Sequence, residues 1–347
     1  MNKEQELILK TVLINKSTNE IKEIDCLLEN KLDWFYIGGI LLNHRLSGYF
    51  YNGLTKKQHG KLPKELRDNL KLIVDAQKEK QKSIILELKE INKILMDSGV
   101  RFAALKGAFF GVCMYNMGDR RSNDIDLLVF EDDLEKLDTE LRKVGFIQSN
   151  MSEGPIQEAT KKEKLIQRMN YHDLVPYLRK LNDDYLALDI NFLFDGKDNL
   201  IDKKVYEYGT HLYKGKDYEI MALPVETNLA FLCAHFYREA TNTIWTSEKR
   251  DVILYKIVDI MNFIRMFKNE IEVMKWVDLM RDLNLDKKCY LTFKALSEFY
   301  SDNFIETILA KLDISDEAFM KQIYDHEYKC NIERSGNFRE AAFDGVS

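Results

Sequence analysis

Gly118-Asp119-Arg120-Arg121-Ser122-Asn123-Asp124-Ile125-Asp126-Leu127-Leu128-Val129 decides how this 347-residue chain is read. Asp124 to Val129 is an apolar, β-prone run, and in a strand alternate side chains share a face. Asp124 and Asp126 then point one way, and Ile125, Leu127 and Val129 the other. Two carboxylates held so close repel each other unless a cation sits between them. Magnesium suits such a pair, because it takes hard oxygen ligands and favours one or two carboxylates together with substrate phosphates. The run therefore predicts a metal–nucleotide site; the plainer alternative is a polar strand end whose Asp residues accept turn hydrogen bonds.

The flanks extend the pattern. Arg101 to Leu105 is short and apolar, Lys106-Gly107 follows, and Ala108 to Met117 has helical composition. A strand, a glycine turn and a helix start present backbone N–H groups to a phosphate. After Val129, Glu131 to Val144 carries acids in its first turn and Lys143 in its last, and Gly145 closes it as a helix. Ser122 and Asn123 either orient the site or cap the turn. Arg121 is read as solvated or as an ion-pair partner of Asp119.

Lys106-Gly107, Gly118, Arg120 and Asp124 to Val129 resemble the signature of the polymerase β-like nucleotidyltransferase superfamily. Within it they are most similar to a bacterial family of uncharacterised nucleotidyltransferases, whose members carry L-K-G, G-x-R and D-I-D-L-L-V at this spacing. The resemblance implies an α+β fold: a mixed sheet bearing Asp-x-Asp on one strand and a third acid on a neighbour. It also implies magnesium-dependent transfer of a nucleoside monophosphate from a nucleoside triphosphate.

The third acid is sought downstream. Tyr171 to Leu178 and Tyr185 to Phe194 read as a hairpin around Asn182-Asp183-Asp184. In the second strand Leu186, Leu188 and Ile190 alternate with Ala187, Asp189 and Asn191. A lone carboxylate inside an apolar strand is costly unless it is paired or bound to metal, which makes Asp189 the third candidate ligand; pairing with Arg120 or Lys106 is the other way to satisfy it. The family tends to place a histidine two residues after this acid, where Asn191 stands here.

Composition bounds the rest. With 45% hydrophobic and 31% charged residues and only 4 prolines, the chain is long enough for two cores and favours helix. A net charge of −6 gives no footprint for general nucleic-acid binding, although a local basic patch is compatible with it. Cys26, Cys113, Cys233, Cys289 and Cys330 are scattered without C-x-x-C spacing, as expected of reduced thiols in a cytoplasmic protein. No signal-peptide core precedes Lys16, and no run approaches the roughly 20 apolar residues of a membrane span. Phosphate-loop, hydrolase-elbow, zinc-protease and dinucleotide fingerprints are all missing.

Four regions are expected: N-terminal helices over 1–98, a nucleotidyltransferase α/β core over 99–222, a helical domain over 223–334 and a flexible tail over 335–347. Leu32 to Leu54 reads as one amphipathic helix, and Pro63 opens a long helix to Ser98, with Gly99 as its stop. Ser149 to Arg168 reads as a solvated loop or helix, with a lid over the site as the sharper alternative. Ser315 to His326 reads as a last helix. His235, Lys256 and Asp259 match recurring family positions in the helical half; the plain readings are a core histidine and a Lys256–Asp259 ion pair.

The expected chemistry follows from the resemblance. Asp124, Asp126 and Asp189 bind two Mg²⁺ ions and carry the catalysis, while Lys106, Gly107, Arg120 and Ser122 bind the nucleotide, with ATP as the expected donor. Lys106 and Arg120 either hold the triphosphate or simply neutralise the acids. The acceptor is expected to be a small molecule or a peptide or protein, with no membrane partner. The alternative is an antitoxin-like or catalytically inactive nucleotide- or partner-binding protein of the same fold.

Overall fold

A computed structural model describes residues 1–122, 124–150, 155–181, 184–196, 199–325 and 327–343, residues 199 and 200 by backbone only. Asn123, Ser152 to Gly154, the turn residues Asn182 and Asp183, and His326 lie outside these residues. The chain divides into two compact units.

One unit, Lys78–Met117 with Ser122–Asn228, holds a seven-stranded mixed sheet. Its strands are β1 (Phe102–Ala104), β2 (Asp124–Val129), β3 (Ile147–Gln148), β4 (Tyr177–Leu181), β5 (Asp184–Asn191), β6 (His211–Lys214) and β7 (Glu219–Ala222). They lie in the order β3-β4-β5-β2-β1-β7-β6. β2 runs parallel to β5 and antiparallel to β1. This is the mixed sheet expected of an α+β fold, and β2 spans the apolar run as read. Alternation places Leu186, Leu188 and Ile190 in the core, at 1%, 0% and 0% exposure. The helix after β2 begins as a 3₁₀ turn, Glu131–Asp133, and continues over Leu134–Lys143. It buries Leu134, Leu137 and Leu141, three and four residues apart. Gly145, at φ +87°, permits the turn that stops it.

β4 starts later than the alternation predicts. Pro176 shifts the pairing by one residue: Tyr177 faces Leu188, whereas Asp173 forms an isolated bridge with Asn191. Of the Ser149–Arg168 stretch, expected as a solvated loop or helix, the later part is a capped helix, Lys161–Asn170, with no residue buried.

The other unit is helical and combines Met1–Gln77, Gly118–Arg121 and Leu229–Ser347. The first and last helical regions, read as separate, thus share one core. Buried polar groups and packed side chains join them. Asn262 donates to the Val12 carbonyl at 3.1 Å and accepts from the Ile14 N–H at 3.0 Å, and Arg265 pairs with Glu20 at 2.8 Å. Leu7, Ile8, Phe263, Trp276 and Phe293 are each fully buried, contributing about 1.5–3 kcal/mol apiece for the aliphatic and Phe side chains.

Leu32 to Leu54 is not one helix: Trp34–Asn43 ends at His44, and Ser47–Gly53 starts afresh. The Leu46 N–H returns to the Leu41 carbonyl at 2.8 Å while Arg45 takes φ +57°, the left-handed closure of a helix end. Ser315 to His326 is not a helix. A 3₁₀ turn at Ala318–Lys321 leads into β8 (Gln322–Asp325), antiparallel to β9 (Cys330–Glu333). The Tyr324 N–H donates to the Thr241 carbonyl at 2.8 Å, and Ile323 alone of its strand is buried, so period two wins there. Residues 344–347 of the expected flexible tail lie outside the described residues; before them Phe338–Phe343 is a helix with Phe338 and Phe343 buried, and two aromatic rings repay the ordering of that turn. Within the described residues, no helix is long and apolar enough to cross a membrane.

Candidate functional site

Strand pairing builds the acidic site. In the parallel β2–β5 ladder Asp126 stands opposite Asp189 and Asp124 opposite Ala187. Residues facing each other in register share a side of the sheet, so Asp124, Asp126 and Asp189 lie on one face. Asp126 is buried at 8% exposure, Asp189 is half-buried and Asp124 is exposed.

The electrostatics follow from that placement. Burial disfavours the ionised Asp189, and the neighbouring Asp126 and Asp124 add repulsion, so its pKa is pushed up to about 7, against an opposing pull from Lys106. Lys106 meets the cluster directly, its Nζ 2.9 Å from Asp126 Oδ1. β1 delivers it there: Ala104 pairs with Leu127, and the Leu105 N–H donates to the Asp126 carbonyl at 3.0 Å. Lys106 itself adopts φ +41°, a conformation costly for a side chain with a Cβ. Strain of this kind persists where surrounding structure imposes it and gathers at functional sites.

Lys106 also begins the helix Lys106–Cys113, with Gly107 second. Its N-cap, Leu105, provides no side-chain hydrogen bond, so no N-cap side chain covers the first-turn N–H groups, which is how helix termini that bind phosphate are built. Ser122 is half-buried at the approach to β2.

One acid escaped the sequence reading. Asp173 stands opposite Asn191 in the antiparallel bridge, hence on the same face as Asp189, and adds to the upward push on Asp189. Gln167 Nε2 donates to its Oδ1 at 2.9 Å. The signal was an acid within a strand-like run, but the register slip at Pro176 hid which face it takes. Asn191, standing where the family tends to have histidine, is buried and donates from Nδ2 to the Leu127 carbonyl at 3.5 Å.

These donors suit a divalent cation: hard oxygens on one face, with a carboxyl whose ionisation awaits positive charge. Within the described residues, no three or more His, Cys, Asp or Glu side chains close into a metal cage.

The remaining candidates sit in the helical unit. Arg120 donates from Nε to Asp259 Oδ2 at 2.8 Å, and the Tyr49 hydroxyl donates to Asp259 Oδ1 at 2.7 Å. Burial works against the charged Arg120, but Asp259, Tyr49 and Tyr255 raise its pKa well above the usual value. The expected Lys256–Asp259 pair gives way to two others, because Lys256 pairs with Glu239 and Asp259 with Arg120. His235 Nε2 lies 3.6 Å from Glu239 Oε1, and its Nδ1 is 3.2 Å from Arg238. Asp119 accepts from Asn52 at 2.7 Å, and Arg121 is exposed.

The family model of the uncharacterised nucleotidyltransferases matches residues 30–301. This chain belongs to that family. The match takes in the acid face of the nucleotidyltransferase, its Lys106-Gly107 helix start and the Arg120–Asp259 pair. Comparison with curated proteins returns no match. Membership makes the chain a transferase of nucleotidyl groups with a nucleoside triphosphate as substrate.

Proposed function

We propose that this nucleotidyltransferase moves the nucleoside monophosphate of a triphosphate, ATP in the first instance, to a hydroxyl or similar group on a small molecule or a peptide or protein. The observation that carries the reading is the register of Asp126 with Asp189 on parallel strands, with Lys106 Nζ 2.9 Å from Asp126. Asp124, Asp126 and Asp189 would hold two Mg²⁺ ions. When bound, magnesium steadies the triphosphate and acidifies the acceptor hydroxyl.

The chain's own groups supply the rest. The Asp189 carboxylate, in register with Asp126 on the acid face, would take the proton from the acceptor hydroxyl. The acceptor oxygen then bonds to the α-phosphorus, and the bond to pyrophosphate breaks. Lys106 counters charge growing on the departing oxygens, while Gly107 and Ser122 complete the nucleotide-binding set with backbone and hydroxyl donors. Such phosphoryl chemistry is mostly positioning and electrostatics and needs no covalent enzyme intermediate.

The formal charge of −6 favours a small or polypeptide acceptor over long RNA or DNA. Five free thiols support a cytoplasmic setting. The test is pyrophosphate release from each labelled triphosphate with Mg²⁺ and candidate acceptors, repeated with Asp126→Asn. Release by the parent and none by the variant supports the reading. Triphosphate binding without release against any acceptor pool would instead establish a binding protein of the same fold.

A further inference from the structure

The helical unit holds a second group of charges, built around one aromatic ring. Tyr255 is half-buried, and three cations face it: the Arg45 guanidinium at 5.6 Å from the ring centroid, the Arg120 guanidinium at 5.6 Å and Lys256 Nζ at 5.8 Å. Lys256 also lies 5.3 Å from the half-buried Trp245 ring. Aromatic faces attract cations, but three positive charges around one ring repel each other. Two are offset by carboxylates, Arg120 by Asp259 and Lys256 by Glu239. Arg45 has no carboxylate within ion-pair distance among the described residues.

Arg45 also sits where a glycine would be easier. It closes the Trp34–Asn43 helix at φ +57°, the position at which helices prefer glycine. An L-residue there costs about 1–2 kcal/mol. That closure holds a long cationic side chain, half-buried, against the Tyr255 ring.

We infer that Arg45, Arg120 and Lys256, each lying over the Tyr255 ring, form a phosphate-binding site. A phosphate dianion supplies negative charge to Arg45, which has no carboxylate partner among the described residues. Planar guanidinium groups match its oxygens in pairs, and the lysine adds a point charge. The site lies within the helical unit and stands whether or not the acid face transfers a nucleotide.

The test uses the full chain and inorganic phosphate, followed by calorimetry and by tryptophan fluorescence, to which Trp245 beside Lys256 contributes. Arg45→Gly removes the charge while relaxing the backbone, so it separates binding from stability; Arg45→Lys keeps the charge and loses the fork. Expected are saturable phosphate binding by the parent, at least about tenfold weaker binding by Arg45→Gly with no lowering of the unfolding temperature, and an intermediate affinity for Arg45→Lys. Pyrophosphate and a non-hydrolysable ATP analogue form the second arm. Competition of the analogue with phosphate, lost in Arg45→Gly, would mark the bound group as a nucleotide's own tail; failure to compete would mark it as a separate phosphorylated ligand. Both support the site. No saturable phosphate binding, a response equal to that of chloride at matched ionic strength, or undiminished binding by Arg45→Gly would overturn it.

Discussion

Asp126 and Asp189 stand opposite each other on parallel strands, in one register of the sheet. Burial of Asp189, with repulsion from Asp126 and Asp124 added, raises its pKa from the ordinary 3.8 to about 7. The native state therefore holds a proton that the unfolded chain has released, so this group's contribution to stability falls as pH rises from about 4 to about 7 and stays lost above that. Asp189→Asn should remove the slope and raise the unfolding temperature at pH 8. The same variant should release pyrophosphate at least about a hundredfold more slowly. Thermal unfolding at pH 5 and 8, beside a turnover assay, reads both.

Divalent cations should reverse the same repulsion. Millimolar Mg²⁺ or Mn²⁺ is expected to raise the unfolding temperature more at pH 8, where Asp189 is ionised, than at pH 5, and a chelator should undo the gain. Asp126→Asn should abolish most of it. An equal shift at both pH values would separate the metal effect from the acid face.

Lys106 holds Asp126 at 2.9 Å and lowers the Asp189 pKa. Without that charge Asp189 should titrate higher, so Lys106→Met is expected to move the acid limb of the pH–rate profile upward. It should also raise the KM for triphosphate about tenfold. Lys106→Arg should restore part of the pH shift, an outcome that a purely structural lysine would not produce.

Gly48 packs against the segment that leads into β2. A Cβ built there would lie 2.1 Å from the Gly118 carbonyl oxygen and 2.4 Å from that of Asp119, and backbone cannot swing aside as a side chain can. Gly48→Ala should cost about 1–3 kcal/mol, measurable by denaturant unfolding. Because Asp124 follows so soon after Gly118–Arg121, turnover should fall as well.

The C-terminal helix offers a test of packing alone. Phe338 is 4% exposed, with the Phe236 ring at 6.3 Å and the Arg334 guanidinium at 4.9 Å. Phe338→Ala is expected to cost about 3–5 kcal/mol without shifting the pH dependence assigned to Asp189. A change below about 0.5 kcal/mol would mean that the tail contributes nothing in solution.

Much of this arrangement was legible from local chemistry. β2 could be read because Asp124 to Val129 alternates and is apolar, and the Lys64–Ser98 helix because its apolar residues recur three and four apart after a proline. Asp189 stood out as a charge amid buried neighbours. The Arg45 break and the β8–β9 hairpin were harder, because each is decided by a contact far along the chain. Leu254 donates its N–H to the His44 ring at 3.0 Å, and Thr241 accepts from Tyr324.

By itself, then, the amino-acid order determined which residues alternate, where most helices begin and end, and that two acids share a strand face; these depend on neighbours a few positions away. Only the tertiary structure decided that Asp189 comes into register with Asp126, that Asp173 joins their face, and that Asp259 takes Arg120 rather than Lys256. Register and ion pairing depend on segments that meet only once the core has formed. A one-residue slip such as that at Pro176 turns a side chain to the other face of the sheet without altering local pattern.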